Sequence, residues 1–275
     1  MPLVDRRAAL RVPTIRPIQR SLHPPPITYV VPTETTSPKF AAAFARGCGG
    51  QCASVATGLR PGTFAAFCTP PTWPLLQQAQ AESRDWYYGD HAYYRRGKYY
   101  RVTKNAYQYV PTARDLQTTT ALRFAACHLP PIQPWQTGGS AVVICPNSPE
   151  YMRQHGIDAH DWVMDCVRQV ARATDRPIVV RWKSQVGRRP FYHDLHDAWA
   201  VVVYNSNAAV EALLAGVPVF VTCPWASTAQ MGLADLTQIE HPVYPTNREP
   251  FLWTLADHQW TFPEMTAGLA WKAVQ

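Results

Sequence analysis

From residue 140 to residue 222, short apolar runs alternate with amphipathic segments, and this constrains the fold more than any other feature of the chain. AVVIC at 141–145, IVV at 178–180, VVVY at 201–204 and VFV at 219–221 are too short for helices and rich in Val. Pro146 and Pro224 follow two of them, and a proline ends a strand because it cannot donate to the ladder. None shows strict polar alternation, so both faces are buried, as in a parallel sheet. Between them, residues 161–173 place Trp162, Val163, Cys166, Val167 and Val170 at helical spacing. Residues 206–215 form a second helix, which Gly216 stops. Strand alternating with helix is the pattern of an open parallel α/β sheet.

The first half repeats the pattern less regularly. Strands are expected at 27–32 and 63–69, and helices at 39–46, 75–83 and 116–127. PPIQPWQTGG at 130–139 has linker composition. The expected organisation is a basic flexible arm at 1–26, an N-terminal domain at 27–135, a C-terminal domain at 136–245, and helices at 246–275. The expected fold class is α/β, with two Rossmann-like domains.

Hydrophobic residues make up 47% of the 275, enough for a sizeable core, and no apolar run approaches the ~20 residues of a membrane helix. Charged residues are only 16%, yet the balance is +7, which suits a polyanionic or phosphate-bearing partner and also a plain basic protein. Of seven cysteines only Cys48 and Cys52 are close, so zinc-site spacing is absent and a reducing, cytoplasmic setting is expected. Residues 1–26 are Arg-rich and fit a flexible arm or a transit peptide. No D-x-D pair, G-x-G-x-x-G, P-loop or G-x-S-x-G occurs.

The most informative segment is YNSNAAVEALLAGVPVF, residues 204–220. A strand runs into Asn205, Ser206 and Asn207, where a helix begins. Ser206 can accept a bond from a helix N–H. Free N–H groups there attract anions, and ligands of open α/β sheets bind outside the strand carboxyl ends. Glu211, four residues after Asn207, shares its helix face and can accept ribose hydroxyls. The same residues also make an ordinary capped helix with an exposed Glu. Upstream, Arg181 and Lys183 follow a strand two residues apart and can form a diphosphate clamp, or simply two solvated charges. Ser148 follows the first strand of this half and is expected at the same mouth.

The order strand–NSN–AAVEALLAG–VPV resembles the donor-binding half of GT-B glycosyltransferases, and is most similar to capsule-type transferases and the related small glycosyltransferases of phages. The resemblance covers residues 140–268. It implies two facing Rossmann-like domains, acceptor-binding at 27–135 and nucleotide-sugar-binding at 136–245, with a C-terminal helix crossing back, donor phosphates at Ser206 and Asn207, and a sugar hydroxyl on Glu211.

In the N-terminal half a base must take the acceptor hydroxyl proton. Asp90 is the first candidate and His91 the second, although an Asp after Gly is also a common turn residue. Around them, tyrosines interleave with basic residues. Tyr93, Tyr94, Arg95, Arg96, Lys98 and Lys104 can stack on bases or sugars and neutralise phosphates. They can equally form a β-hairpin with tyrosines inward and charges outward.

The expected function is inverting, metal-independent transfer from a UDP-sugar co-substrate, UDP-glucose first, to 5-hydroxymethylpyrimidine in DNA. A capsular or cell-surface polysaccharide acceptor is the alternative. A non-catalytic nucleic-acid-binding module is the third reading.

Overall fold

The computed structural model describes residues 24–183 and 190–275, and the expected basic arm lies almost wholly outside them. The chain forms two five-stranded sheets. The first contains β1 (Ile27–Val30), β2 (Gln51–Ser54), β3 (Phe64–Phe67), β4 (Trp86–His91) and β5 (Tyr100–Lys104), in the order β2-β1-β3-β4-β5. All neighbours are parallel except β4 and β5, which form an antiparallel hairpin. The second contains β6 (Ala141–Cys145), β7 (Ile178–Val180), β8 (Ala198–Val203), β9 (Val219–Val221) and β10 (Gly232–Leu233), all parallel, in the order β10-β9-β8-β6-β7. The α/β class expected from the alternation is the observed one.

In each sheet the first strand has its second on one side and its third on the other. The connections therefore leave in opposite directions between β1 and β3, and between β6 and β8. Such a reversal opens a crevice at the strand carboxyl ends.

The helix Thr36–Cys48 buries Phe40, Ala41, Phe44 and Ala45. It approaches closely because Gly89 on β4 has no Cβ, which would meet the Phe40 ring at 2.2 Å. Gly89 is therefore a mid-strand residue and Asp90 is not in a turn. In the second sheet Val201, Val202 and Val203 are fully buried, which explains the unbroken apolar run. The long helix Ala159–Ala173 starts at Asp158, whose carboxylate accepts from the His160 and Asp161 N–H groups.

Several element bounds differ from expectation. The helix expected at 116–127 is two, Ala113–Thr118 and Ala121–Ala126, because Thr119 and Thr120 are extended. Strand β2 was not expected, since QCAS carries little apolar signal at a sheet edge. Within the helices expected at 246–275, the last stretch breaks at Gly268, φ 81°, into Phe262–Thr266 and Leu269–Ala273.

The C-terminal segment crosses back. The helix Arg248–Asp257 packs on the two helices after β5, and the last two helices pack on Thr36–Cys48. Between them Trp260 exchanges backbone bonds with Tyr100 on β5, at 2.8 and 2.7 Å. The coil 128–139 that joins the sheets is tied to the second one, where Gln133 and Gln136 N–H groups donate to Leu214 and Gly216 carbonyls.

Candidate functional site

The carboxyl ends of both sheets open onto one cleft of about 670 Å³. From the second half it is lined by Asn147, Ser148, Tyr151, Arg181, Lys183, Asn205, Ser206, Asn207 and Glu211. From the first half come Cys68, Trp73, Asp90, His91, Arg96, Arg101 and Gln108. Every expected donor-binding residue and both candidate bases thus lie on one cavity, on opposite walls.

On the second-half wall, the tripeptide after β8 is braced rather than free. The Asn205 N–H donates to Asn147 Oδ1 at 3.3 Å, and its Nδ2 donates to the Tyr151 hydroxyl at 2.9 Å. Asn207 Nδ2 crosses to the Ala92 carbonyl at 3.0 Å. Ser206 Oγ accepts from the Ala208 N–H at 3.3 Å, so its capping bond exists, but the helix is Ala208–Leu214 with Asn207 at its cap position. Only seven residues long, it has a small aligned dipole, so the helix end matters less here than the side chains around it. Ser148 caps the helix Pro149–Gln154 by accepting from Tyr151 N–H.

Glu211 is exposed toward the cleft, and its surroundings raise its carboxyl pKa by desolvation while Arg181 opposes the rise. Arg181 does not stand as a free clamp. Its Nη1 is ion-paired with Asp194, both nearly buried, and its guanidinium lies 5.3 Å from the Phe191 ring centroid. Lys183 is exposed at the rim. The expected symmetrical pair is therefore one anchored and one exposed cation.

On the facing wall, β4 and β5 place Asp90 directly opposite Arg101. Arg101 Nη2 donates to Asp90 Oδ2, and Oδ1 accepts from Cys68 Sγ at 2.8 Å and from His91 N–H at 2.6 Å. Burial alone would raise the Asp90 carboxyl, but Arg101, Cys68 and the His91 N–H together hold it below the ordinary carboxylate range. Arg101 is pushed the other way, upward, because Asp90 outweighs burial. His91 falls to about 4: burial is the main cause, Arg96, Lys183 and Arg101 add to it, and Asp90 opposes them. His91 is therefore neutral at pH 7.

The aromatic–basic stretch does not form an acceptor platform. Tyr93 and Tyr94 are buried, Tyr93 bonding Ser227 Oγ at 2.8 Å and Tyr94 donating to the Leu252 carbonyl at 2.9 Å. Arg95 donates to the Cys127 and His128 carbonyls. Lys104 pairs with Asp85 at 3.1 Å, and Lys98 sits 5.1 Å from the Tyr99 ring centroid. Of the six residues expected there, Arg96 alone lines the cleft. The hairpin reading of this stretch holds, because alternation along β4 and β5 sends the aromatic rings into two cores.

Sequence reasoning missed Arg101 and Gln108 as cleft residues. Arg101 was one basic residue among several, and only the hairpin register identifies it. Gln108 follows β5 and reaches across the cleft: Nε2 donates to the Asn205 carbonyl at 2.9 Å, and Oε1 accepts from Ser227 N–H at 2.8 Å and Oγ at 3.0 Å. No sequence pattern marks it.

No family model and no curated protein sequence matches the chain. Among solved structures it is similar to the β-Kdo 2,4-transferase of Thermosulfurimonas dismutans KpsC, with a TM-score of 0.50 at 11% identity, over 86% of this chain and 92% of that one. The β-Kdo 2,7-transferase of the same protein gives a TM-score of 0.51 at 12% identity, over 90% and 99%. At such identity the likeness is one of fold: this chain has the two-sheet α/β architecture of those transferases over most of its length.

Proposed function

We propose that this protein is a glycosyltransferase that moves a sugar from a nucleotide-sugar to a hydroxyl of an acidic glycan. One observation carries the reading: both chain reversals open on a single cleft, with Glu211, Ser206 and Lys183 on one wall and Asp90, His91 and Arg101 on the other. The capsule-type transferases with the same fold support it.

In this reading the nucleotide-sugar lies along the β8 loop. Glu211 accepts sugar hydroxyls, and Lys183 with Arg181 offsets the charge on the departing diphosphate, an electrostatic role. The neutral imidazole of His91 takes the acceptor proton, and Asp90 stabilises the imidazolium that results. The acceptor oxygen attacks the anomeric carbon as the bond to the donor phosphate oxygen breaks, and the nucleoside diphosphate leaves with that electron pair, giving inversion. His91 thus displaces Asp90 as first candidate, because a carboxylate already holding Arg101 has little affinity for a proton. UDP-glucose is the first donor to test.

DNA carrying 5-hydroxymethylpyrimidine is the second acceptor reading. The net charge of +7 and exposed Arg96 and Lys98 favour it, while burial of Tyr93 and Tyr94 removes its stacking platform. Incubation with UDP-, GDP- and CMP-activated sugars and with acidic polysaccharide, hydroxymethylated DNA or plain DNA, followed by digestion and mass spectrometry, tests the proposal. A sugar mass added to the polysaccharide supports the first reading, and one on the modified base the second. Release of nucleotide from no donor in any combination refutes both.

A further inference from the structure

Among the described residues, five buried polar atoms on cleft-lining residues have no hydrogen-bond partner: Trp73 Nε1, His91 Nδ1, Arg101 Nε and Nη1, and Asn205 Oδ1. Folded proteins seldom leave such atoms unpaired, and their gathering in one cavity points to a ligand. Trp73 Nε1 and the two Arg101 nitrogens are donors only. The Arg101 side chain is 4% exposed and fixed in place: Nη2 holds Asp90, and the guanidinium carbon lies 4.8 Å from the centroid of the Tyr93 ring. Arg96 adds an exposed cation at the rim of the same wall. Burial first, then the charges of Arg96, Lys183 and Arg101, lower His91 against the opposing Asp90, so three cations converge there beside one anion. Preorganised donors beside convergent positive charge select an oxyanion.

We infer that Arg101, with Trp73 and Arg96, forms an oxyanion subsite for a carboxylate or phosphate-monoester group carried by the acceptor sugar. This rests on reading the cleft as a sugar-transfer site, with the acceptor on the first-half wall. Arg101 is too deeply buried for a polynucleotide backbone phosphate, whose flanking sugars would have to enter with it. A slender acidic group on a single sugar ring can reach it.

Calorimetric titration of the full chain with glucuronate, glucose 6-phosphate, glucose and UDP tests the subsite. Wild type should bind one of the two acidic sugars at least tenfold more tightly than glucose. Glucuronate as the tighter ligand identifies a carboxylate, and glucose 6-phosphate identifies a phosphate. The double variant Asp90→Asn/Arg101→Met, which strands no buried charge, should lose that preference at least tenfold and keep UDP affinity within twofold. Arg101→Lys, which keeps the ion pair, should also lose most of it and serves if the double variant fails to fold. Equal affinity for the three sugars, or a preference unchanged in both variants, overturns the subsite. So does a thymidine oligonucleotide whose binding depends on Arg101. UDP binding without acidic-sugar preference removes the subsite and leaves the transferase reading standing; the reverse keeps the subsite and removes the donor site.

Discussion

Replacing Gln108 with Leu should show how firmly the two halves are joined at the loop after β8. Gln108 is 6% exposed, and its partners Asn205 and Ser227 are 3% and 1% exposed. Leu is of similar size, so the change removes hydrogen bonds while leaving little cavity. It strands the Asn205 carbonyl and the Ser227 N–H, whereas Ser227 Oγ keeps the Tyr93 hydroxyl at 2.8 Å. At about 1–3 kcal/mol per stranded buried group, the loss is about 2–6 kcal/mol. Taking about 4 kcal/mol, and about 2–4 °C per kcal/mol for a chain near this size, Tm should fall by about 8–16 °C. Urea unfolding of the full chain measures the free energy, and a thermal scan gives the Tm. Donor KM should rise, because the loop holding Ser206 loses its tie to the first half. A loss below about 1 kcal/mol with unchanged m-value would refute the reasoning, since it would mean that water or a shifted side chain replaces Gln108 at no cost. A double-mutant cycle with Ser227→Ala should give a coupling of at least about 0.5 kcal/mol, as expected for groups in one network.

Four further outcomes are expected. His91→Ala should lower kcat by about 10²-fold or more, the usual size for a lost general base. His91 is neutral above a pKa of about 4, so wild-type activity should stay level down to about pH 5 and fall only below it; an inflection near 6.5 would show that the cleft does not depress this group. Glu211→Gln, which weakens charge-assisted bonds to hydroxyls, should raise donor Kd about tenfold or more in calorimetry, and an unchanged Kd removes Glu211 from the site. Gly216→Ala forces φ 80° on a residue with a Cβ and sets that Cβ 1.9 Å from the Pro134 carbonyl oxygen; with strain and overpacking each costing about 1–3 kcal/mol, urea unfolding should show a loss of about 2–6 kcal/mol.

The second-half wall was legible because it is local. The strand, the polar tripeptide, the short helix and Gly216 are contiguous, so one stretch of sequence carries both the fold signal and the cavity loop. The facing wall was not, because it depends on pairing. Arg101 meets Asp90 only through the β4–β5 register, and Tyr93 and Tyr94, in the connection between those strands, turn into the core of the second half. A run of tyrosines and basic residues reads alike whether the rings face a core or a ligand. Charge in the sequence also misled at Arg181, which appears as an available cation until Asp194, thirteen residues on, is brought beside it. Gln108 shows the limit most plainly: its three bonds span 97 and 119 residues of chain, and no local pattern encodes them.

The joining bonds also explain why the cleft can hold unpaired donors. Buried polar atoms without partners favour collapse of the walls around them or entry of water. Here the walls are held apart and in register by bonds that are themselves made: Gln108 to the Asn205 carbonyl and Ser227, Asn207 to the Ala92 carbonyl, Tyr93 to Ser227, and the backbone bridge at Trp260 fixing β5 from the outside. Arg101 sits on that fixed strand and stacks on that fixed tyrosine. Its two open nitrogens therefore keep their direction without a ligand, which lowers the ordering cost of binding one. The polar network and the unpaired Arg101 nitrogens are thus two parts of one arrangement, in which satisfied groups hold the unsatisfied ones in place.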